Sequence, residues 1–212
     1  LLWFAMSLTK AVPSYLLPHP LEVAAAGYRY IFGSPGESPY AGRFLNDTLA
    51  SLARVGAGFS TAVIIGLPLG IVSGRLSTVQ RLLGTTIDGL RAVPGICWLP
   101  LAMVWFGIGA GTTLFLVALA AFFPIYLNAA VGARQINPLL LQSGAMMGAG
   151  RVRSIFLILL PGSMPYIFSG LRLGLGISWA YLVLGELSGV PNGLGAFIMD
   201  ARMVGRIDMI VV

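Results

Sequence analysis

Apolar residues fall in long uncharged runs separated by short charged segments, the pattern of a chain that crosses a membrane several times. Between Arg54 and Arg75 there is no charge for twenty residues, which at about 1.5 Å per residue covers the hydrocarbon of a bilayer. From Ala92 to Ala133 there is none for forty-two residues, twice what one crossing needs. The polar break GIGAGTT at Gly107–Thr113 predicts two spans joined by a tight turn, one over Ala92–Ile108 with Pro94 and Pro100 inside it, the other over Thr112–Val131 with Pro124. Ser154–Leu171 is also uncharged for eighteen residues. Its Pro161 and Pro165 remove two backbone donors, so the expectation is a segment Arg151–Leu160 lying along the inner surface and a span over Gly170–Leu187. Leu1–Leu8 reads as the tail of a first span and Met209–Val212 as the start of a last one, about six spans in all with both ends incomplete. The fold class is therefore an all-α, polytopic helical bundle in one membrane domain, residues 1–212.

Within the spans, Gly66, Gly70 and Gly74 recur every fourth residue and share one helix face. Small faces let helices approach closely where lipid offers no hydrophobic drive, so packing is the expected role. Gly170, Gly174 and Gly176 form a second such face, and Pro68 should kink its span locally. The charges then set the topology. Arg75–Arg91 carries Arg75, Arg81 and Arg91 against Asp88, and Gly132–Ser169 carries Arg134, Arg151 and Arg153 with no acid. Both are assigned to the inside by the positive-inside rule. The external loop over about residues 10–48, with a short surface helix at Leu21–Phe32, balances Lys10, Arg29 and Arg43 against Glu22, Glu37 and Asp47. Ser188–Asp208 is likewise neutral.

Composition agrees and excludes other classes. Residues are 57% hydrophobic and 9% charged, against roughly 25% charged in soluble domains. Thirteen Lys and Arg face seven Asp and Glu, but no aromatic-interleaved basic surface suits nucleic acid. The single cysteine, Cys97, builds no disulfide framework within one chain. Lys10, the only lysine, stands in LTKAV, so the chain has no P-loop. His19, the only histidine, sits in LPHP and reads as a turn residue rather than a metal ligand or base. No catalytic residue is assigned. The ionisable residues nearest membrane depth are Arg54, Arg172 and Glu186, all read at span ends, with Glu186 expected to be wetted or hydrogen-bonded. Trp98 and Trp105 fit either interface anchors or pathway lining. With Phe122, Asn128, Ser178 and Glu186 they are the candidate pathway residues, each equally open to a packing role.

One stretch is too polar and Gly-rich to cross, NPLLLQSGAMMGAGRVRSIFLILLP at Asn137–Pro161. Asn137 and Pro138 make a helix start, a docking helix follows over Pro138–Met147, and Gly148–Gly150 form a hinge. Leu139, Leu140, Leu141, Met146 and Met147 make that helix apolar, and an apolar helix on the cytoplasmic face wants a groove.

These residues resemble the cytoplasmic EAA loop, E-A-A-x3-G-x9-I-x-L-P, of the permease subunits of bacterial ABC importers. Gly148, Ile158, Leu160 and Pro161 stand at its spacing. Gln142, Ser143 and Gly144 replace the Glu-Ala-Ala head, so hydrogen bonding is kept at 142 and the charge is lost. LLPHP at 16–20, GLPLG at 66–70, LRAVPGICWLPLAMVWFGIG at 90–109, LPGSMPYIFSGLRLGLGISW at 160–179 and GELSGVPNGLG at 185–195 are similar to the branch handling aliphatic sulfonates, taurine and nitrate. The resemblance implies a type I importer permease of the bacterial inner membrane, embedded in lipid. It implies a second permease copy, two separate ATPase subunits and an external or periplasmic solute-binding protein. This chain would bind no cofactor, ATP and magnesium being used by the ATPase. The coupling residues it implies are Leu141, Gln142, Ser143, Gly144, Ala145, Met147, Gly148, Ala149 and Arg151 within a coupling loop over 132–169. The alternatives are an ATPase-independent channel or ion-coupled carrier, and a non-transporting membrane scaffold.

Overall fold

The computed structural model describes residues 3, 18–34, 36 and 39–212. The expected first-span tail at Leu1–Leu8 lies, Trp3 apart, outside the described residues. By contacts the chain separates into two compact units, one of Leu1–Ala53, Ile108–Ala110 and Val183–Val212, the other of Arg54–Gly107 and Gly111–Leu182.

The elements, in chain order, are α1 (Pro20–Phe32), α2 (Phe44–Arg75), α3 (Ser77–Ala92), a 3-10 turn at Gly95–Cys97, α4 (Trp98–Phe106), α5 (Ala110–Gln135) and α6 (Pro138–Met146). Then come a long helix α7, and α8 (Leu194–Met203) and α9 (Ile207–Ile210). Three described helices are long and apolar enough to cross a membrane: α2, α5 and α7, the last counted over Val152–Glu186. The bent pair of α3 with Gly95–Phe106 would make a fourth if taken as one span.

α1 starts where expected, with the His19 imidazole accepting from the Leu21 N–H at 3.3 Å and Pro20 at the first helical position. The single histidine is thus a helix cap. The first unit's core is aromatic: Tyr30 stacks on Phe197 at 4.1 Å between ring centroids, and Tyr40 meets Phe197 edge-on at 5.7 Å. Ala26, Ala201 and Met209 complete it.

The second unit is organised around α5, which packs glycine faces of two other helices. A Cβ at Gly70 would lie 2.5 Å from the Tyr126 carbonyl oxygen and 2.7 Å from Ala129 Cβ, and one at Gly74 would overlap the Ala130 carbonyl. α7 contributes Gly170, where a Cβ would come to 2.8 Å from Asn128 Cβ, and Gly174, against Ile125 and the Ala121 carbonyl. Both expected small faces are therefore backbone-to-backbone contacts, except that Gly176 meets nothing within 4 Å. Pro68 lies inside an unbroken α2.

Two expectations are corrected. The straight span over Ala92–Ile108 is instead a bend of 88° between α3 and Gly95–Phe106. Val93, forced extended (φ −73, ψ 120) by the ring of Pro94, ends α3, while Pro100 falls in the first turn of α4 where its missing N–H costs nothing. The expected Arg75–Arg91 loop is correspondingly the helix α3. Second, Arg151–Leu160 is not a surface segment before the turn. An α turn Arg151–Ser154, a π turn Ile155–Leu159 and the helix Leu160–Glu186 run on as α7 through Pro161 and Pro165. The π turn shifts the hydrogen-bond register just ahead of Pro161, and the Ser163 and Ser169 hydroxyls donate to the Leu159 and Pro165 carbonyls at 2.7 and 2.9 Å. At about 1.5 Å per residue α7 exceeds the hydrocarbon thickness, so it holds both prolines without placing every residue in lipid.

The tight turn at Gly107–Thr113 is present. Gly107 and Gly109 take φ of 75° and 147°, and the Thr112 hydroxyl donates to the Gly107 carbonyl at 2.5 Å.

Candidate functional site

The stretch 137–161 folds as a helical hairpin. The Asn137 side chain accepts from the Leu139 N–H at 2.9 Å and Pro138 opens α6, so the start read from sequence is made by the expected cap. At the other end Met147 closes the helix and Gly148 enters the left-handed region at φ 82°. The Gly148 and Ala149 N–H groups donate back to the Ala145 and Gly144 carbonyls at 3.0 and 2.9 Å.

Gly144 sits on the inner side of the hairpin, where a Cβ would overlap Ile158 Cδ1. Leu141, Ala145 and Ala149 border an apolar cavity of about 430 Å³ together with Ile71, Val72 and Leu159. Gln142, Ser143 and Met147 face outward, Met147 at 87% exposure and its neighbour Met146 at 88%. The side chain of Arg151 lies outside the described residues. α6 thus has an inner seam of small residues and an outer face of Leu139, Leu140, Met146 and Met147 that is exposed among the described residues.

Of the six pathway candidates, Trp98, Trp105, Phe122, Asn128 and Ser178 lie in the second unit and Glu186 in the first. Trp98 borders a cavity of about 270 Å³ in the second unit, with Phe123 and Tyr181. Trp105 is exposed and packs edge-on to Phe115 at 6.0 Å. Phe122 stacks on Tyr126 at 5.7 Å, and the Asn128 amide donates to the Pro124 carbonyl of its own helix at 2.9 Å. Ser178 is fully buried and its hydroxyl donates to the Gly174 carbonyl at 2.8 Å.

Glu186 is buried in the first unit. Its carboxylate accepts from the Ser51 hydroxyl at 2.8 and 3.0 Å and from the Gly195 N–H at 2.8 Å. Ser51 accepts in turn from the Leu194 N–H at 3.0 Å. Asp47, one helical turn before Ser51, accepts from the Gly193 N–H and the Tyr30 hydroxyl, both at 3.1 Å. Gly193 takes φ 131°, and a Cβ there would lie 2.5 Å from Glu186 Oε1. Two acids, two α2 positions and the PNGLG turn therefore form one polar knot. Charge counting had put Asp47 in an external loop and had not singled out Ser51. The available signal was the glycine pair at 193 and 195 closely following Glu186.

Burial raises the Tyr30 hydroxyl above the ordinary phenol range, and the Asp47 charge beside it adds to the rise. In α9 the Arg206 guanidinium, donating to Asp208 at 2.6 Å, holds that carboxyl below the usual range. Among the described residues no group of three or more His, Cys, Asp or Glu is arranged to hold a metal ion.

Comparison with known proteins gives the hairpin its context. Residues 66–212 match the family described as binding-protein-dependent transport system inner membrane component. The chain is 33% identical, over 99% of its length and 75% of the relative's, to the taurine transport system permease protein of Escherichia coli (strain K12). It is 32% identical to the nitrate import permease protein of Synechocystis sp. (strain PCC 6803), over 92% of this chain and 72% of that one. With the putative aliphatic sulfonates transport permease protein of Bacillus subtilis (strain 168) it shares 30% identity over 99% and 73%. In fold it is similar to a chain of the inward-facing MetNI methionine ABC transporter, with a TM-score of 0.65 at 19% identity, covering 79% of this chain and 86% of that one. The chain belongs to the binding-protein-dependent transport system inner membrane components, multi-pass inner-membrane permeases of ABC importers rather than catalytic subunits.

Proposed function

We propose that two copies of this chain enclose a solute pathway and that a pair of separate ATPase subunits, hydrolysing ATP with magnesium, drives it through the hairpin 137–161. An external binding protein delivers the solute. The solute class is a small sulfonate or inorganic anion, such as an alkanesulfonate, taurine or nitrate, by analogy with the relatives named above. The observation that carries the coupling part is α6 itself: a capped helix, closed by a left-handed glycine, whose Leu139, Leu140, Met146 and Met147 face outward, exposed among the described residues. An apolar helix face of this kind is stable in a groove of another protein. Coupling contacts are assigned to Gln142, Ser143, Met147 and Gly148, with Leu141, Gly144, Ala145 and Ala149 seating the helix on its own chain. Arg151 is assigned to the same contact on its position alone.

The ion-coupled alternative loses its best residue, because Glu186 is buried and hydrogen-bonded at the end of α7. The test is Gly148→Trp. A left-handed backbone costs a residue with a Cβ about 1–2 kcal/mol, and the indole would project from the docking face. ATP-driven uptake should fall at least about tenfold while membrane insertion and yield stay normal. Unchanged uptake would remove the hairpin from the coupling path.

A further inference from the structure

We propose that the cavity of about 270 Å³ beside Arg91 is a transient binding station for a small oxyanion within the solute pathway. This rests on the permease reading and names a site within it. The cavity's depth comes first. Its α5 wall is Leu119, Phe123, Pro124 and Leu127, which at about 1.5 Å per residue lies in the middle third of that helix. Arg91, in the last turn of α3 just before the 88° bend, borders the cavity at this level, although charge counting places it in an inner loop. An ionisable side chain at membrane depth is retained only where it meets water, a partner or a solute.

The chemistry of the walls follows. Among the described residues Arg91 is the only charged one lining the cavity. Its planar guanidinium presents paired N–H groups that match the oxygens of a sulfonate, nitrate or carboxylate. Trp98 and Tyr181 each bring one polar hydrogen to an otherwise apolar lining. The cavity is near the lower end of the range of ligand pockets, roughly 300–1,000 Å³, and so suits a small solute. Gly95 is part of the construction, since a Cβ there would overlap the Tyr181 phenol.

A station on a pathway must also release what it holds. Asp88, one turn back on α3, stands 3.4 Å from Arg91, and the two side chains are 60% and 53% exposed. So open an ion pair is weak and exchangeable. Arg91 therefore rests on Asp88 and changes partner as the anion passes.

The full-length chain, reconstituted with its ATPase and binding protein in ATP-loaded liposomes, tests this with taurine, ethanesulfonate and nitrate as probes. Arg91→Gln should lower uptake about tenfold or more and Arg91→Lys should keep about a third, with ATP hydrolysis stimulated by the binding protein retained in both. A second measurement does not need transport. In membrane vesicles carrying Leu127→Cys and Cys97→Ser, labelling by an anionic sulfonatoethyl methanethiosulfonate is compared with its cationic trimethylammonium counterpart. Asp88→Asn, a change of an exposed side chain, should raise the anionic-to-cationic rate ratio about threefold, and Arg91→Gln should lower it as much. Uptake unaffected by Arg91→Gln, or one labelling ratio in all three backgrounds, overturns the station. Absence of ATP-driven uptake of every probe by the unaltered chain overturns the permease reading instead, while the labelling ratio still reports on the cavity.

Discussion

Tyr30 carries two jobs at once: its ring stacks on Phe197 and its hydroxyl donates to Asp47, which in turn receives the Gly193 N–H. A hydrogen bond to a charged acceptor contributes about 1.5–3 kcal/mol, and an orphaned buried partner costs a similar amount. Tyr30→Phe should therefore lower the thermal stability of the detergent-solubilised chain while preserving the ring packing. The pH dependence follows from the direction of the shift. Burial and the Asp47 charge favour the neutral phenol in the fold, so its folded value lies above the unfolded value of 10.0. The stabilisation is complete below that value and is lost as pH rises through the folded one. In an ultraviolet titration Tyr30 should ionise late, together with unfolding, and the Tyr30→Phe chain should lose that late step.

At the scale of helices, the glycine faces decide which pairs form. Gly70 touches the α5 backbone so closely that any side chain must push the helices apart, whereas Gly176, two residues past Gly174 and so off its face, meets open space. Overpacking a tight contact costs about 1–3 kcal/mol or more. Gly70→Leu should reduce the yield of monodisperse protein and its melting temperature, and Gly176→Leu should leave both near the starting values. Equal effects at the two positions would mean that the close contact at Gly70 does not set the stability. The period of four at 66, 70 and 74 was legible in the sequence because close approach needs small residues at one helix face. The cap at Asn137, the left-handed Gly148 and the helix over 20–32 were legible for the same reason: each is fixed by local backbone chemistry. Proline was the unreliable sign. Pro94 does end a helix, Pro100 is absorbed in a first turn, and Pro161 and Pro165 stay within α7, the first of them just after a π turn. Which of these happens depends on the hydrogen-bond register of neighbouring residues, which a single proline does not announce. The Asp47–Ser51–Glu186 knot joins positions far apart in sequence, beyond the reach of any local pattern.

For the whole molecule, the close packing of α2 and α7 on α5 bears on where solute can move. Helices whose backbones meet at Gly70, Gly74 and Gly170 leave no passage between them, since protein interiors at such contacts are packed like organic crystals. Any path must run along the flank of this three-helix core, where the cavity beside Trp98 and Tyr181 lies. A flank becomes a conduit only when another wall faces it, and in the proposed pair that wall is the second copy, related by a two-fold axis. That arrangement has a sharp consequence in liposomes. The chain alone should pass neither taurine, ethanesulfonate nor nitrate above the rate of empty vesicles. Adding the ATPase, internal ATP with magnesium and the binding protein should produce uptake, and withdrawing the metal with a chelator should abolish it. A carrier or channel would instead conduct from the chain alone, and a scaffold would stay silent under every condition. A cross-link between cysteines placed on the cavity rim of two copies, formed at high yield in the assembled complex and not in dispersed chains, would identify the second wall as this same protein.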